Sequence, residues 1–190
     1  MKKLIYAGLI FALLSLTGCK EREKSYWDYL QARNYKEALE YLIRNKDWIE
    51  AIRHARLYNI SNKLDKIGEA CWNDLVKEDG FADAVNAYIC ANEFDKELAA
   101  QAEERVYRLA EDVKNPAELF IASRKLDYFG LKNASQNLEQ ITNLRFGELE
   151  FRSIKNKKEK GCKWIAVKGD YYFDDENGGW QEIKPDLLGP

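Results

Sequence analysis

Apolar residues along the first two thirds of the chain recur at the spacing of one helical face. They fall at Tyr35, Ala38, Leu39 and Leu42, then at Trp48, Ala51, Ile52 and Ala55, then at Phe81, Ala84, Val85 and Tyr88. A fourth set beginning at Phe94 is weaker, because Glu97 and Gln101 interrupt the stripe that Leu98 continues. The segments NYKE (from Asn34) and DWIE (from Asp47) both place an acid three residues after a capping residue, the pattern of a capping box. Longer stripes run through Leu64, Ile67, Cys71 and Leu75, and through Leu98, Ala102, Val106, Leu109 and Val113. Asn115, Pro116 and Glu118 supply a cap, a proline at the first helical position and an acid in the first turn. That helix is expected to stop at Gly130, and a last one to run through Ala134, Leu138 and Ile141.

After Phe146 the period shortens. Leu149, Phe151 and Ser153 alternate onto one face, and two short apolar runs flank Lys168, Gly169 and Asp170 as a hairpin does. Asn177-Gly178 reads as a second turn, ahead of Trp180. The expectation is an antiparallel meander of up to four short strands. So small a sheet must lay its apolar face against the helices.

One feature of the helical part repeats. Trp27, Leu30, Tyr35, Ala38, Leu39 and Trp48 are answered by Trp72, Leu75, Phe81, Ala84, Val85 and Phe94, at an offset of 45 residues that becomes 46 after Asp79 and Gly80. Within each copy an aromatic recurs after thirteen residues. Short helices, tight connections and a recurring period are the marks of helical-hairpin repeats. The region therefore resembles a tetratricopeptide-like α-solenoid, although that family's own period and its Trp, Leu-Gly and Pro positions are not met. The resemblance carries the architecture alone and no binding residues. A compact helical bundle with two similar hairpins is the alternative. The fold class expected is mainly α, stacked hairpins or a bundle, followed by the small C-terminal meander.

The N-terminus carries a different kind of signal. Lys2 and Lys3 precede an apolar run from Leu4 to Leu14, too short for the roughly 20 residues of a spanning helix. Leu16, Thr17, Gly18 and Cys19 come next and resemble the lipobox of bacterial lipoproteins at all four positions. The resemblance implies cleavage before Cys19 and acylation of that cysteine, including a palmitate-type chain. Several acyl chains anchor stably, at ~0.8 kcal/mol per buried CH₂. Lys20, in place of the aspartate that retains such proteins at the inner membrane, implies the outer membrane, facing the periplasm. The expected organisation is 1–18 signal peptide, 19–24 lipidated cysteine and tether, 25–144 helical repeat, 145–184 meander and 185–190 tail. A tether this short keeps the helical region within roughly 25 Å of the lipid.

Charge narrows the partners. Thirty basic and 32 acidic residues nearly cancel, so there is no basic excess for a phosphate backbone, and nucleic acid is not an expected partner. The lysine-rich run at 155–163 reads as a solvated loop. The segment DDENGG (from Asp174) lacks the alternating oxygen ligands and distal Glu of a calcium loop. No phosphate-binding glycine loop, zinc motif or other cofactor signature appears, and His54 is read as a structural histidine. No cofactor, metal or small-molecule substrate is therefore expected.

Cysteines and aromatics remain. Export permits disulfides. If the helices beside Asp79 and Gly80 form a hairpin, Cys71 and Cys90 lie opposite each other across it. Yet at about 100° per residue Cys90 falls half a turn from the Phe81–Tyr88 stripe, so buried free thiols and a Cys71–Cys90 bond both stay open. Trp164, Tyr171, Tyr172 and Trp180 are the candidate interface residues, because only one face of a small sheet can be covered. Together these features point to a non-enzymatic, lipid-anchored interaction module for another envelope protein. The alternatives are an inhibitor, immunity or exclusion lipoprotein and, last, a carboxylate-based cell-wall hydrolase.

Overall fold

The structure is a computed structural model, and it describes residues 24–156, 161–174 and 179–183. The lipobox with Cys19, the middle of the lysine-rich run, the Asn177-Gly178 turn and the C-terminal tail lie outside the described residues. Among those described are eight α-helices and four strands. The helices are α1 (Tyr26–Gln31), α2 (Tyr35–Arg44), α3 (Trp48–Leu57), α4 (Leu64–Leu75), α5 (Phe81–Ala91), α6 (Lys96–Ala110), α7 (Pro116–Tyr128) and α8 (Lys132–Phe146). The strands are β1 (Glu150–Asn156), β2 (Gly161–Lys168), β3 (Tyr171–Asp174) and β4 (Gly179–Glu182). The protein is thus mainly helical, with a small antiparallel sheet at its C-terminal end. The described residues divide into two compact units, one ending at Asn45 and the other beginning at Lys46.

The first unit holds α1 and α2. Ser25 opens α1 with a full capping box: its hydroxyl accepts from the Asp28 N–H at 3.4 Å, and its own N–H donates to the Asp28 carboxylate at 2.7 Å. The helix closes with Arg33 in the left-handed region (φ 54°). There the N–H of Arg33 meets the Leu30 carbonyl and that of Asn34 meets the Tyr29 carbonyl, the two bonds of a Schellman motif. Asn34 then caps α2 by accepting from the Glu37 N–H at 3.4 Å, as its sequence context predicts. Tyr29 and Tyr41 hold the two helices together, ring centroids 6.3 Å apart.

In the first copy the thirteen-residue spacing has a local cause. Ten helical residues, a C-cap, one left-handed residue and an N-cap add to one period, and Arg33, Lys46 and Asn59 are the left-handed residues thirteen apart. The second predicted capping box is not formed: Asp47 stands at the N-cap of α3 without a side-chain bond, and Glu50 binds Arg53 instead. Phe94 does not begin a helix either. It sits in the turn before Asp95, whose carboxylate accepts from the N–H groups of Glu97 and Leu98 and so sets the start of α6.

In the second unit α3 packs with α4, α4 with α5, α5 with α6 and α7 with α8, and alternate helices also touch: α3 with α5, α5 with α7, and α6 with α8. This makes α5 the centre, and Ala84, Val85, Ala87, Tyr88, Ile89, Cys90 and Ala91 are all buried. A helix covered all round has no single stripe, so lying half a turn from Phe81 and Tyr88 does not keep Cys90 from a partner. Cys71 on α4 and Cys90 on α5 are joined as a disulfide, Cα atoms 5.9 Å apart. Gly68 permits this approach, since a Cβ there would lie 2.7 Å from the Cys90 carbonyl oxygen and 2.9 Å from Glu93 Cβ. Three arginines satisfy carbonyls at the C-terminal ends of neighbouring helices. Arg56 donates to the Phe129 carbonyl after α7 (3.0 Å), Arg105 to those of Val76 (2.8 Å) and Glu78 after α4, and Arg145 to that of Ala110 on α6.

Helix α7 ends where Gly130 turns left-handed (φ 79°), with Gly130 and Leu131 donating back to Asp127 and Leu126. The sheet is a meander in the order β1-β2-β3-β4, every pair antiparallel. Gly169 takes φ 58° at the first position of the two-residue turn between β2 and β3. Phe151 on β1 stacks on Phe120 of α7, centroids 4.2 Å apart and planes within 4°, and Trp164 leans on the same ring at 5.1 Å. That aromatic contact seats the sheet on the helices. No helix among the described residues is long and apolar enough to cross a membrane.

A candidate binding groove along helix α7

Helices α3, α5 and α7 lie side by side in one layer, and the space between them forms a groove. Its larger part has a volume of about 590 Å³ and is bordered by Trp48, Glu50, Arg53, Asn86, Lys125 and Tyr128. A smaller hollow of about 170 Å³ continues it between Phe81, Ala82 and Val85 of α5 and Ile121 and Ala122 of α7, and Lys125 lines both. On α7 the residues facing this space are Glu118, Ile121, Ala122, Lys125 and Tyr128. Their spacing is that of one helical face, and at 1.5 Å per residue they cover roughly 15 Å.

Charges in the wide part are mostly paired off. Asp74 accepts from Lys46 Nζ at 3.1 Å and from the Trp48 indole N–H at 2.9 Å, and these bonds, Lys46 first, hold its carboxyl below the ordinary range. Arg53 pairs with Glu50 at 3.1 Å and lies over the face of Tyr128, 5.6 Å from the ring centre. Glu50 and then Tyr128 raise its pKa further. Lys125 differs. Among the described residues its ammonium donates to the Asn86 side-chain oxygen Oδ1 at 2.6 Å and has no carboxylate within ion-pair distance. Burial lowers its pKa, against a smaller opposite pull from Glu50 and Asp83.

At the floor, Phe129 is buried under the Arg56 guanidinium, 5.5 Å above its ring. Arg56 also pairs with Glu93, whose own side chain is 6% exposed. Burial raises the Glu93 pKa in spite of that cation. Tyr128 stands at the rim, 62% exposed. The groove thus presents an apolar end, one half-buried cation without an acid, and an aromatic end with a guanidinium and an indole. Such a surface can hold side chains and orient them.

The residues singled out in the sequence fall elsewhere. His54 is buried in α3 with its ring 4.5 Å from that of Tyr58. The four sheet aromatics are not gathered into one patch. The register places Trp164, Tyr171 and Trp180 on the face that meets Phe120, and Tyr172 on the opposite face. Trp164 is 38% and Tyr171 51% exposed, while Trp180 packs edge-on against Phe173 at 5.6 Å. Sequence reasoning did not find Arg53, Asn86 or Lys125, because each is an ordinary polar residue on its own helix and only packing brings the three together.

Comparison with protein-family models, with curated proteins and with solved structures finds no match to this chain.

Proposed function

We propose that this protein is a non-enzymatic interaction module, held at the envelope membrane through acylated Cys19, whose α7 groove receives a segment of another envelope protein. The observation that carries the reading is the groove itself. An apolar hollow runs into an aromatic and charged one with Lys125 between them, a combination suited to recognising several side chains along one polypeptide segment. Its cations other than Lys125 are already engaged with acids of the same chain, so they favour positioning over proton transfer. The lipobox supports the location and the short tether supports action close to the lipid.

A photo-crosslinking residue in place of Tyr128, in the full-length protein expressed in its own cells, tests the proposal. The expected result is a discrete adduct with an envelope protein that weakens at least tenfold when Lys125→Glu is added. Absence of any adduct from Tyr128, or an adduct indifferent to Lys125→Glu, overturns the assignment of the groove.

A further inference from the structure

Trp27 and Trp72 occupy the same position in the two copies of the repeat, yet the structure treats them differently. Trp72 is half-buried, while Trp27 is 68% exposed, its ring edge-on to that of Tyr26 at 5.5 Å. The chain therefore places outward, in the first copy, a side chain that the second copy packs. Scattered exposed leucines are ordinary on a protein surface. A largely uncovered tryptophan is not, since it leaves a large amphipathic ring in water.

Where Trp27 stands says what covers it. It lies eight residues after Cys19, and a chain of that length spans at most about 28 Å. The capping box between Ser25 and Asp28 fixes the start of α1, so Trp27 is held on an ordered first turn. Side chains on a helix lean toward its N-terminus, which here is the end the tether enters. Lys24, exposed just before the cap, adds a cation of the sort that sits among anionic headgroups. Tryptophan itself is the side chain most enriched at the membrane–water boundary.

We infer that Trp27 is an interfacial membrane anchor: its indole inserts at the headgroup level of the bilayer that holds Cys19, and so fixes α1 against the lipid. The inference rests on acylation of Cys19, since that places the bilayer within reach. The acyl chains dominate the affinity, so the contribution of Trp27 is orientation.

The test uses the full-length acylated protein in vesicles of phosphatidylethanolamine and phosphatidylglycerol, some carrying acyl chains brominated close to the headgroup. Wild-type tryptophan fluorescence should be quenched by the brominated lipid. The Trp27→Phe variant should float with the vesicles as wild type does and lose most of that quenching, with Trp48, Trp72, Trp164 and Trp180 left as unquenched emitters. Quenching that persists in Trp27→Phe overturns the anchor while leaving acylation intact. A protein whose Cys19 carries no acyl chain by mass, and which fails to float, overturns both.

Discussion

Lys125 sits in an environment that opposes its charge. It keeps a half-buried ammonium beside an apolar hollow, with one neutral hydrogen bond from its Nζ to Asn86. Burial lowers its pKa from 10.5, which means that folding makes the charged form less favourable. Between the folded value and 10.5 the unfolded chain binds more protons than the folded one, so the group's contribution to stability rises with pH across that window. The variant Lys125→Met removes the cost. At neutral pH it should be more stable than wild type. The gap should narrow as the pH climbs toward 10.5. Urea midpoints of the two proteins, measured in parallel at neutral and alkaline pH, check both signs. A variant no more stable than wild type would mean that the ammonium costs the fold nothing. None of this is legible in the sequence, where Lys125 is one charged residue among Glu118, Arg124 and Asp127 of its helix.

At the scale of elements, local chemistry is the legible part. Asn34 and Asn115 cap as their contexts predict, and Gly130 ends α7 in a left-handed conformation. Asp47 and Phe94 show the limit, because each has the right local pattern and another contact takes precedence: Glu50 turns to Arg53, and Asp95 caps α6. The repeat itself is legible as a period, whereas the left-handed residue every thirteen positions that sets the spacing in the first copy is not, since Arg33 and Lys46 are not residues that announce such a turn. Cys90 departs from its apparent face for the same kind of reason: burial of α5 on every side is a tertiary fact. The bond between α4 and α5 closes a loop with a sequence separation of 19. Constraint of the unfolded chain by such a loop stabilises by about 2–4 kcal/mol. Urea unfolding with and without reductant should show a loss of that size. The double variant Cys71→Ser, Cys90→Ser should match the reduced protein and be indifferent to reductant.

The second unit joins packed helices, whose core is local and regular, to a sheet too small to stand alone. That dependence is legible, because a four-stranded meander of such short strands needs a partner for its apolar face. Which helix provides it is not, since Phe120 looks like one more apolar residue of α7. In the structure Phe120 is the ring on which the sheet rests. Phe151 stacks on it, Trp164 leans on it, and Arg124 lies 5.1 Å over it, its guanidinium paired with Glu139 of α8. Phe120→Ala therefore removes one side chain from the helices and the support of two strands at once. It should cost about 2–3 kcal/mol, at or just below the low end of the range for aromatic truncation because the ring is only half-buried. The loss should not be evenly spread. Amide exchange in β1 and β2 should speed up by an order of magnitude or more, while α4 and α5, joined by the disulfide around their own core, keep their protection. Equal loosening of sheet and helices would show that the two share one cooperative core. Unchanged exchange in β1 would show that the sheet is held by contacts other than Phe120.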